Sequence, residues 1–387
     1  MVNFINLSEK KILQVLPSLD SGGVERGTLE IAEAIINAGG TSLILSNGGR
    51  LVEPSKKIGA KHLTAPVHSK NPFRIYKNIF LIYKIIKEQK IDLVHVRSRA
   101  PAWSVFFAAK MSRTPFITTF HGTYGHTGLW GLKKYYNKVM LRGKCVIANS
   151  NFISSHLKKI YHTSSRFIHT VPRGVDIEKF NKKSIKKAQI DQLLKEWNLK
   201  ISTPLILMPG RLTRWKGQKI FLQALEKLPH RNFMAVIVGS DQGRTAYRQE
   251  LEEFIKKHKL QKNIKMVGHC SDMPAAYALA NFIVSASTDP EAFGRVLAEA
   301  GALEKPVIAT DHGGAQEIII PNKTGFLVTP GCSSSLSKAL EKAFNLSKEH
   351  YNSMGLNAKN HIIENFSKRT FQNKTLKVYT AVLKKRK

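Results

Sequence analysis

The segment DPEAFGRVLAE, residues 289–299, follows a short apolar run at Phe282–Ser285. Such a run is typical of a buried strand, and the pattern from Gly294 onward predicts an α-helix. A strand, a glycine-containing turn and a helix in this order form one unit of a parallel sheet, in which ligands bind beyond the carboxyl ends of the strands. The turn before Gly294 is therefore a candidate ligand site, because the first amides of a helix bind phosphate.

Two carboxylates flank this predicted helix start. Glu291 precedes it and Glu299 lies inside the helix. If both were helical, the eight-residue spacing would separate them by about 12 Å along the axis and about 80° around it. Both could then contact one extended ligand, since a carboxylate accepts hydrogen bonds from the hydroxyls of a sugar or a ribose. The alternative is that both are solvated glutamates on a helix surface.

Short apolar runs alternate with helical patterns along the whole chain. We predict twelve strands, at residues 12–16, 42–45, 93–96, 116–120, 146–148, 167–171, 205–208, 234–238, 264–267, 282–285, 307–309 and 326–328. Continuous apolar strands imply parallel sheets covered on both faces, so the predicted fold class is α/β with two doubly wound domains. Pro172 and Gly174 interrupt the pattern and place the domain boundary near residue 172.

The net charge of +34 over 387 residues favours a polyanionic partner, which can be nucleic acid, anionic lipid or a phosphorylated small molecule. Residues 1–176 carry 26 Lys and Arg against 9 Asp and Glu, and residues 177–387 carry 35 against 18, so each part has a charge of +17. The charge therefore belongs to the whole surface, unlike a basic arm.

Cysteine usage and hydropathy point to a cytosolic protein. The three cysteines, Cys145, Cys270 and Cys332, are far apart and form no zinc-type cluster, so we expect neither disulfides nor a metal site. We also expect no secretory signal at the N-terminus and no transmembrane helix.

Further glycine-containing turns follow other predicted strands. Gly22 and Gly23 open a helix and allow a ligand close to the backbone, although an ordinary tight turn explains them equally well. His121 follows Phe120 at the end of a strand, where we expect it to face a cleft between the domains. Gly313 and Gly314 form another such turn.

Two cations lie in the loop after the first strand of the second half. Arg211 and Lys216 are five residues apart, and glycines bracket them. A guanidinium and an ammonium converging from one loop suit a pyrophosphate and can stabilise the negative charge of a departing diphosphate.

The motifs GGVE, HG, RGVD, GRL with KG, EAFG and GGxxE occur in an order that resembles the family 4 glycosyltransferases of group 1. The resemblance covers about residues 11–380. It implies the GT-B fold, with two Rossmann-like domains facing across a cleft. Residues 1–172 would form the acceptor domain, residues 173–366 the nucleotide-sugar donor domain, and residues 367–387 a helix that returns to the first domain.

The resemblance also implies a role for each matching residue. His121, Glu291, Arg211 and Lys216 would be catalytic. The donor would contact Gly22, Gly23, His269, Asp272, Glu291, Ala292, Phe293, Gly294 and Glu299, with Arg211 and Lys216 on its diphosphate. The donor carries UDP or GDP, no cofactor or metal is expected, and transfer retains the anomeric configuration by front-face displacement. The common hinge Asn is Arg173 here, which we expect to contact acceptor phosphate.

Two segments rich in basic and aromatic residues could indicate where the acceptor binds. Residues 71–90 read as a basic amphipathic helix, which we interpret as a domain helix with a Lys-rich outer face. Residues 128–143 follow the same pattern, and there we favour contact with a membrane or a lipid acceptor through Trp130, Lys133 and Lys134. The opposite interpretation remains open for each segment.

The leading hypothesis is a transferase that acts on a lipid-linked or lipopolysaccharide-core acceptor at the inner face of the cytoplasmic membrane. One alternative with the same fold is a nucleotide-sugar 2-epimerase. A basic nucleic-acid-binding protein is the non-enzymatic alternative, but the sequence lacks the motifs of such proteins, so we expect no nucleic-acid partner.

Overall fold

The computed structural model describes residues 5–20, 22–124, 132–200 and 202–384. The chain forms two compact units. The N-terminal unit comprises the chain up to Gly174 together with the chain from Lys368 onward, and the C-terminal unit comprises Val175–Ser367. The division falls two residues beyond the position at which the sequence places it.

The N-terminal unit contains a seven-stranded parallel sheet in the order β3-β2-β1-β4-β5-β6-β7. Its strands are β1 (Lys11–Val15), β2 (Thr41–Ser46), β3 (Lys61–Thr64), β4 (Leu93–Val96), β5 (Phe116–Phe120), β6 (Val146–Ala148) and β7 (Ile168–Thr170). Its helices are α1 (Gly23–Asn37), α2 (Val52–Lys57), α3 (Pro72–Glu88), α4 (Arg99–Ser112), α5 (Leu132–Asn137), α6 (Asn151–Tyr161) and α15 (Lys368–Lys384).

The C-terminal unit contains a six-stranded parallel sheet in the order β10-β9-β8-β11-β12-β13. Its strands are β8 (Leu205–Pro209), β9 (Met234–Val238), β10 (Ile264–Gly268), β11 (Phe282–Ser285), β12 (Val307–Thr310) and β13 (Gly325–Val328). Its helices are α7 (Lys187–Glu196), α8 (Gln218–Glu226), α9 (Thr245–Lys257), α10 (Met273–Leu279), α11 (Arg295–Ala302), α12 (Ala315–Ile318), α13 (Ser333–Phe344) and α14 (Lys348–Phe366).

Strand β8 shows why the strands are apolar throughout. Leu205 and Leu207 belong to the core on one face of the sheet, whereas Ile206 and Met208 belong to the core on the other face. Successive side chains of a strand point to opposite faces, so a sheet covered by helices on both sides buries every residue of a central strand. The predicted α/β class with two doubly wound sheets is confirmed.

Helix α15 packs against α1 in the N-terminal unit. Phe371, Leu376 and Tyr379 share a buried cluster with Ile31 and Ile35. Polar contacts add to this packing. The ammonium of Lys368 lies 2.6 Å from a carboxylate oxygen of Glu33, and Gln372 donates a hydrogen bond to the carbonyl of Glu30.

The two basic, aromatic segments differ in the structure. Helix α3 buries only Asn78, Ile82 and Ile86, so its outer face carries the exposed rings of Phe73 and Tyr76 as well as lysines. The second segment is not one amphipathic helix over 128–143. The six-residue α5 is followed by a 3-10 turn at Lys138–Leu141, and residues 125–131, including Trp130, lie outside the described residues.

Lys133 is exposed and Lys134 half-buried on α5. Neither has a side-chain partner among the residues that the structure describes. In the described part of the chain, no helix combines the length and the apolar character that crossing a bilayer demands.

Candidate active site

Glu291 lies in the loop that follows β11, at the carboxyl end of the C-terminal sheet. Its Oε1 atom accepts hydrogen bonds from the Lys216 ammonium at 2.7 Å, the Ser287 hydroxyl at 2.7 Å and the Ser285 hydroxyl at 3.3 Å. Its Oε2 atom accepts none from the described residues. One oxygen is therefore fixed by the protein, and the other keeps its lone pairs uncommitted.

The environment keeps this carboxylate ionised. Burial by itself raises the pKa of Glu291, but the charge of Lys216 and the hydrogen bonds from Lys216, Ser287 and Ser285 outweigh it, so the pKa lies below its ordinary value. The side chains of Lys216 and Glu291 are 13% and 19% exposed, so the pair is only weakly screened by water.

A tight turn places Lys216 beside Glu291. The chain reverses at Gly217, whose φ of 74° favours glycine, and a Cβ atom there would lie 1.8 Å from the carbonyl oxygen of Ala286. The amide of Thr288 donates to the carbonyl of Trp215 at 2.7 Å. These contacts join the loop after β8 to the loop after β11, because the two strands are neighbours in the sheet.

Arg211 lies in the same loop but outside this cluster. Its side chain is exposed, and only its backbone carbonyl is held, by a hydrogen bond from Gln218 at 2.9 Å. The two predicted diphosphate cations thus differ: Lys216 is positioned by the protein, whereas the guanidinium of Arg211 reaches into solvent.

Glu299 is buried inside α11. Its Oε2 atom accepts from the Tyr277 hydroxyl at 3.1 Å, and its Oε1 atom lies 3.2 Å from Nε of Arg295. The interpretation of Glu291 and Glu299 as solvated surface glutamates is therefore wrong. Each oxygen of Glu299 has one partner inside the protein and keeps a second lone pair that could accept from a ribose hydroxyl.

The backbone between Glu291 and Gly294 is packed tightly. Phe293 is buried, with its ring against Phe366, so Phe293 and the half-buried Ala292 can offer mainly backbone atoms to a ligand. Gly294, with a φ of 95°, starts α11. The Gly313–Gly314 turn lies against this backbone, and the amide of Gly314 donates to the carbonyl of Glu291 at 2.8 Å.

The loop after β10 carries His269 and Asp272, two of the predicted donor contacts. His269 is exposed there. Asp272 caps α10 by accepting from the amide of Ala275 at 3.1 Å, and its other oxygen accepts from Gln189 at 2.6 Å. The carboxylate of Asp272 thus has a structural role, and His269 is the freer side chain of this loop.

The N-terminal unit has its own cluster at the carboxyl ends of its strands. Arg173, which is 6% exposed, donates to Nδ1 of His121 at 2.8 Å and also to the carbonyl of Gly23. Gly22 precedes α1 with a φ of 138°, and a Cβ atom there would lie 2.7 Å from a carboxylate oxygen of Glu25. Arg173 therefore joins the glycine turn to His121, and its contacts do not favour the predicted contact with acceptor phosphate.

The His121 ring is neutral. Burial, followed by the charges of Arg173 and Arg97, holds the pKa of His121 well below its ordinary value. Because arginine only donates, Nδ1 is the acceptor and the proton sits on Nε2. Nε2 is buried and has no hydrogen-bond partner within the described part of the chain, so it is an unsatisfied donor.

Comparison with known proteins identifies the family. Residues 21–179 match the model described as Glycosyltransferase Family 4, and residues 189–361 match the model described as Glycosyl transferases group 1. The crystal structure of a glycosyltransferase from Rickettsia africae ESF-5 is 39% identical, with a TM-score of 0.90 over 97% of this chain and 99% of that one. The chain belongs to the family 4 glycosyltransferases of group 1.

More distant glycosyltransferases share the GT-B fold. The Anabaena protein Alr3699/HepE, crystallised with UDP and glucose, is 22% identical, with a TM-score of 0.84 over 96% of this chain and 100% of that one. A D-inositol 3-phosphate glycosyltransferase from Xylanimonas cellulosilytica is 29% identical over 194 residues, which are 49% of this chain and 46% of that protein. The chain spans between about half and two thirds of the length of the first curated relatives that it matches.

Sequence reasoning missed several residues of this glycosyltransferase. Ser285 and Ser287 hold Glu291 but lie in an unremarkable apolar strand end. Arg97, buried at 2% exposure, donates to Gln14 at 2.8 Å and to the carbonyl of Gly27 at 3.1 Å. It directly follows β4, so the strand-end rule that selected His121 would also have selected Arg97.

Proposed function

We propose that the protein is a retaining, metal-independent glycosyltransferase that moves a sugar from a nucleoside diphosphate to a hydroxyl of a lipid-linked acceptor. The Lys216–Glu291 pair, 2.7 Å apart at the carboxyl ends of β8 and β11, carries the proposal. It puts an ionised carboxylate with one uncommitted oxygen beside a positioned cation. The carboxylate can accept a hydrogen bond from a sugar hydroxyl, and the cation can pair with a neighbouring phosphate.

The C-terminal unit supplies the donor contacts. Glu291 Oε2 accepts from a hydroxyl of the transferred sugar, while Lys216 and Arg211 neutralise the diphosphate. The first amides of α11, after Gly294, bind phosphate oxygens. His269 contacts the nucleobase, and Glu299 binds the ribose through a remaining lone pair of its carboxylate. The base is uracil or guanine.

The reaction needs no protein nucleophile. The acceptor oxygen bonds to the anomeric carbon on the face from which the diphosphate leaves, the bond from that carbon to the diphosphate oxygen breaks, and the acceptor proton passes to the leaving phosphate. Lys216 stabilises the charge that develops on the diphosphate. His121 is no general base, because its Nδ1 lone pair accepts from Arg173 and its Nε2 is protonated. It instead donates to a substrate oxygen.

The N-terminal unit supports a lipid-linked acceptor of the cell envelope, such as a lipopolysaccharide core. Phe73 and Tyr76 on α3 are 81% and 62% exposed, and they alternate with the exposed cations Arg74 and Lys77. Exposed aromatic rings among lysines and arginines are typical of surfaces that rest on an anionic leaflet. We therefore propose that the enzyme works on the inner face of the cytoplasmic membrane.

A donor screen tests the proposal. UDP-sugars and GDP-sugars are added singly, and a true donor raises the melting temperature because it binds only the folded state. Glu291→Gln abolishes the shift, whereas the exposed variant Lys256→Gln keeps it. The active donor is then incubated with a lipid-linked acceptor in the presence of EDTA, which tests metal independence. NMR of the product gives the anomeric configuration. Turnover of UDP-GlcNAc without acceptor would instead identify a 2-epimerase.

A further inference from the structure

We propose a second binding site, for a single anionic phospholipid, at the amino-end edge of the N-terminal sheet. A cleft of about 980 Å³ opens there, a volume that suits a ligand of this size. Phe116 at the start of β5 and Cys145 just before β6 lie in its wall. Because β5 rises about 3.3 Å per residue, the cleft lies roughly 16 Å from His121. It is therefore separate from the proposed transfer site.

The charged residues that line the cleft are all basic. None of its described lining residues is acidic, and five are basic, namely Lys110, Arg113, Arg142, Lys144 and Arg166. All five are exposed at its mouth. Their combined charge in one concave surface favours a phosphate group, since guanidinium groups donate paired hydrogen bonds to phosphate oxygens.

Two of these arginines are held by aromatic rings. The guanidinium of Arg142 lies 5.2 Å from the ring centre of Phe106, and that of Arg166 lies 5.0 Å from the ring centre of Phe167. A guanidinium stacked on a ring face keeps its N–H edges free for a phosphate. The phosphate is thus expected between Arg142 and Arg166.

The floor of the cleft is apolar. Ala109 of α4 and Val382 of α15 are buried there, beside Phe116. Helix α4 also exposes Phe107 and Met111, by 40% and 49%, next to the cleft. A phosphate compound without apolar groups gains nothing from this floor, whereas each buried methylene of an acyl chain contributes about 0.8 kcal/mol. The charge and the floor together select a phospholipid with an anionic headgroup.

The test is calorimetric titration of the full chain with dihexanoyl-phosphatidylglycerol below its micelle concentration. We expect binding at least about tenfold tighter than that of dihexanoyl-phosphatidylcholine, whose choline cancels the phosphate charge, or of glycerol phosphate, which has no acyl chains. Arg142→Ala combined with Arg166→Ala removes the phosphate contacts. Ala381→Trp, at an exposed lining position, fills the cleft without changing the charge. Each loses about tenfold in affinity.

The control Lys256→Ala combined with Lys257→Ala removes two exposed charges from α9 and keeps the wild-type affinity. Melting temperatures confirm that every variant is folded. The proposal is overturned if wild type fails to bind the monomeric lipid and binds only phosphatidylglycerol vesicles, or if glycerol phosphate or an oligonucleotide binds as tightly as the lipid. Equal affinities of the cleft variants and the control also overturn it.

Discussion

The guanidinium of Arg173 donates a hydrogen bond to Nδ1 of His121 across 2.8 Å. Arg173 lies next to the end of the first unit's main segment at Gly174, and His121 directly follows β5. Because an arginine cannot accept a hydrogen bond, this contact decides that the ring proton resides on Nε2. Arg173 is thus a positioning residue for His121.

Arg173→Met should allow His121 to populate both of its neutral tautomers. With the arginine charge gone, we expect the pKa of His121 to rise, though not to its ordinary value, because burial and the charge of Arg97 still lower it. Ring-nitrogen NMR should show both tautomers, and kcat/KM should fall about tenfold, the size of one hydrogen bond.

Two variants sharpen this prediction. Arg173→Lys keeps the positive charge but replaces the planar guanidinium fork with a single ammonium, so it should restore the tautomer more than the rate. Arg50→Met removes an exposed arginine of the same unit and should change neither. An unaltered Nε2–H tautomer in Arg173→Met would contradict the positioning role.

Stability should fall as the pH drops below about 6.5. Burial first, and the charge of Arg97 as well, hold the pKa of His95 and of His121 well below the ordinary value. The unfolded chain therefore binds protons that the native state excludes, so the free energy of unfolding rises with pH through this window. Two such histidines give a slope approaching about 2.7 kcal/mol per pH unit.

Urea denaturation at pH 7.5, 6 and 5 measures this slope. His121→Gln keeps a hydrogen-bond acceptor for Arg173 but cannot titrate, so it should remove about half of the slope. Identical slopes in wild type and variant would show that His121 is protonated in the native state.

The fold could be predicted because the central strands are buried on both faces, as in Leu205–Pro209. Strand β3 was missed for the opposite reason. It pairs only with β2 at the sheet edge, and Lys61 and Thr64 are exposed, so just Leu63 marks it as apolar. A short edge strand that need not bury both faces leaves almost no pattern in the sequence.

The sequence indicates individual site residues but not the contacts between them. Glu291 and Lys216 each stand out at a strand end, but 75 residues separate them, and their contact depends on β8 and β11 being neighbours in the sheet. Periodicity reveals strands and not their order. For the same reason the sequence does not indicate that Arg173 reaches His121 or that Tyr277 reaches Glu299, whereas the Arg295–Glu299 contact is an i,i+4 pair within α11.

Variants of the Lys216–Glu291 pair should show that stability can be recovered while activity stays lost. Glu291→Gln alone leaves the Lys216 ammonium without its counter-charge, at a cost of about 1–3 kcal/mol in the free energy of unfolding. Glu291→Gln combined with Lys216→Met removes both charges and should recover part of that cost. Donor turnover should fall at least about a hundredfold in the single and double variants.

The Lys219–Glu250 pair is the matched control for that experiment. It has the same 2.7 Å separation, but its side chains are 47% and 27% exposed. Lys219→Met should therefore cost at most about 1 kcal/mol and leave turnover unchanged. If turnover survives in Glu291→Gln, Glu291 does not bind the donor.

Two glycines test how tightly the turn beside Lys216 is constrained. Gly217 and Gly243 both have positive φ, 74° and 80°, so alanine is strained at either position by about 1–2 kcal/mol. At Gly243 an added Cβ meets no atom within 4 Å, whereas at Gly217 it meets the Ala286 carbonyl oxygen at 1.8 Å. Gly217→Ala must therefore push the loop after β8 away from β11.

We expect urea denaturation to show that Gly217→Ala lowers the free energy of unfolding by about 1–3 kcal/mol more than Gly243→Ala does. Donor turnover should be lost only in Gly217→Ala, because that displacement carries Lys216 away from Glu291. If both variants lower the free energy of unfolding equally, the turn at Gly217 accommodates the added Cβ atom without displacing the Lys216 ammonium.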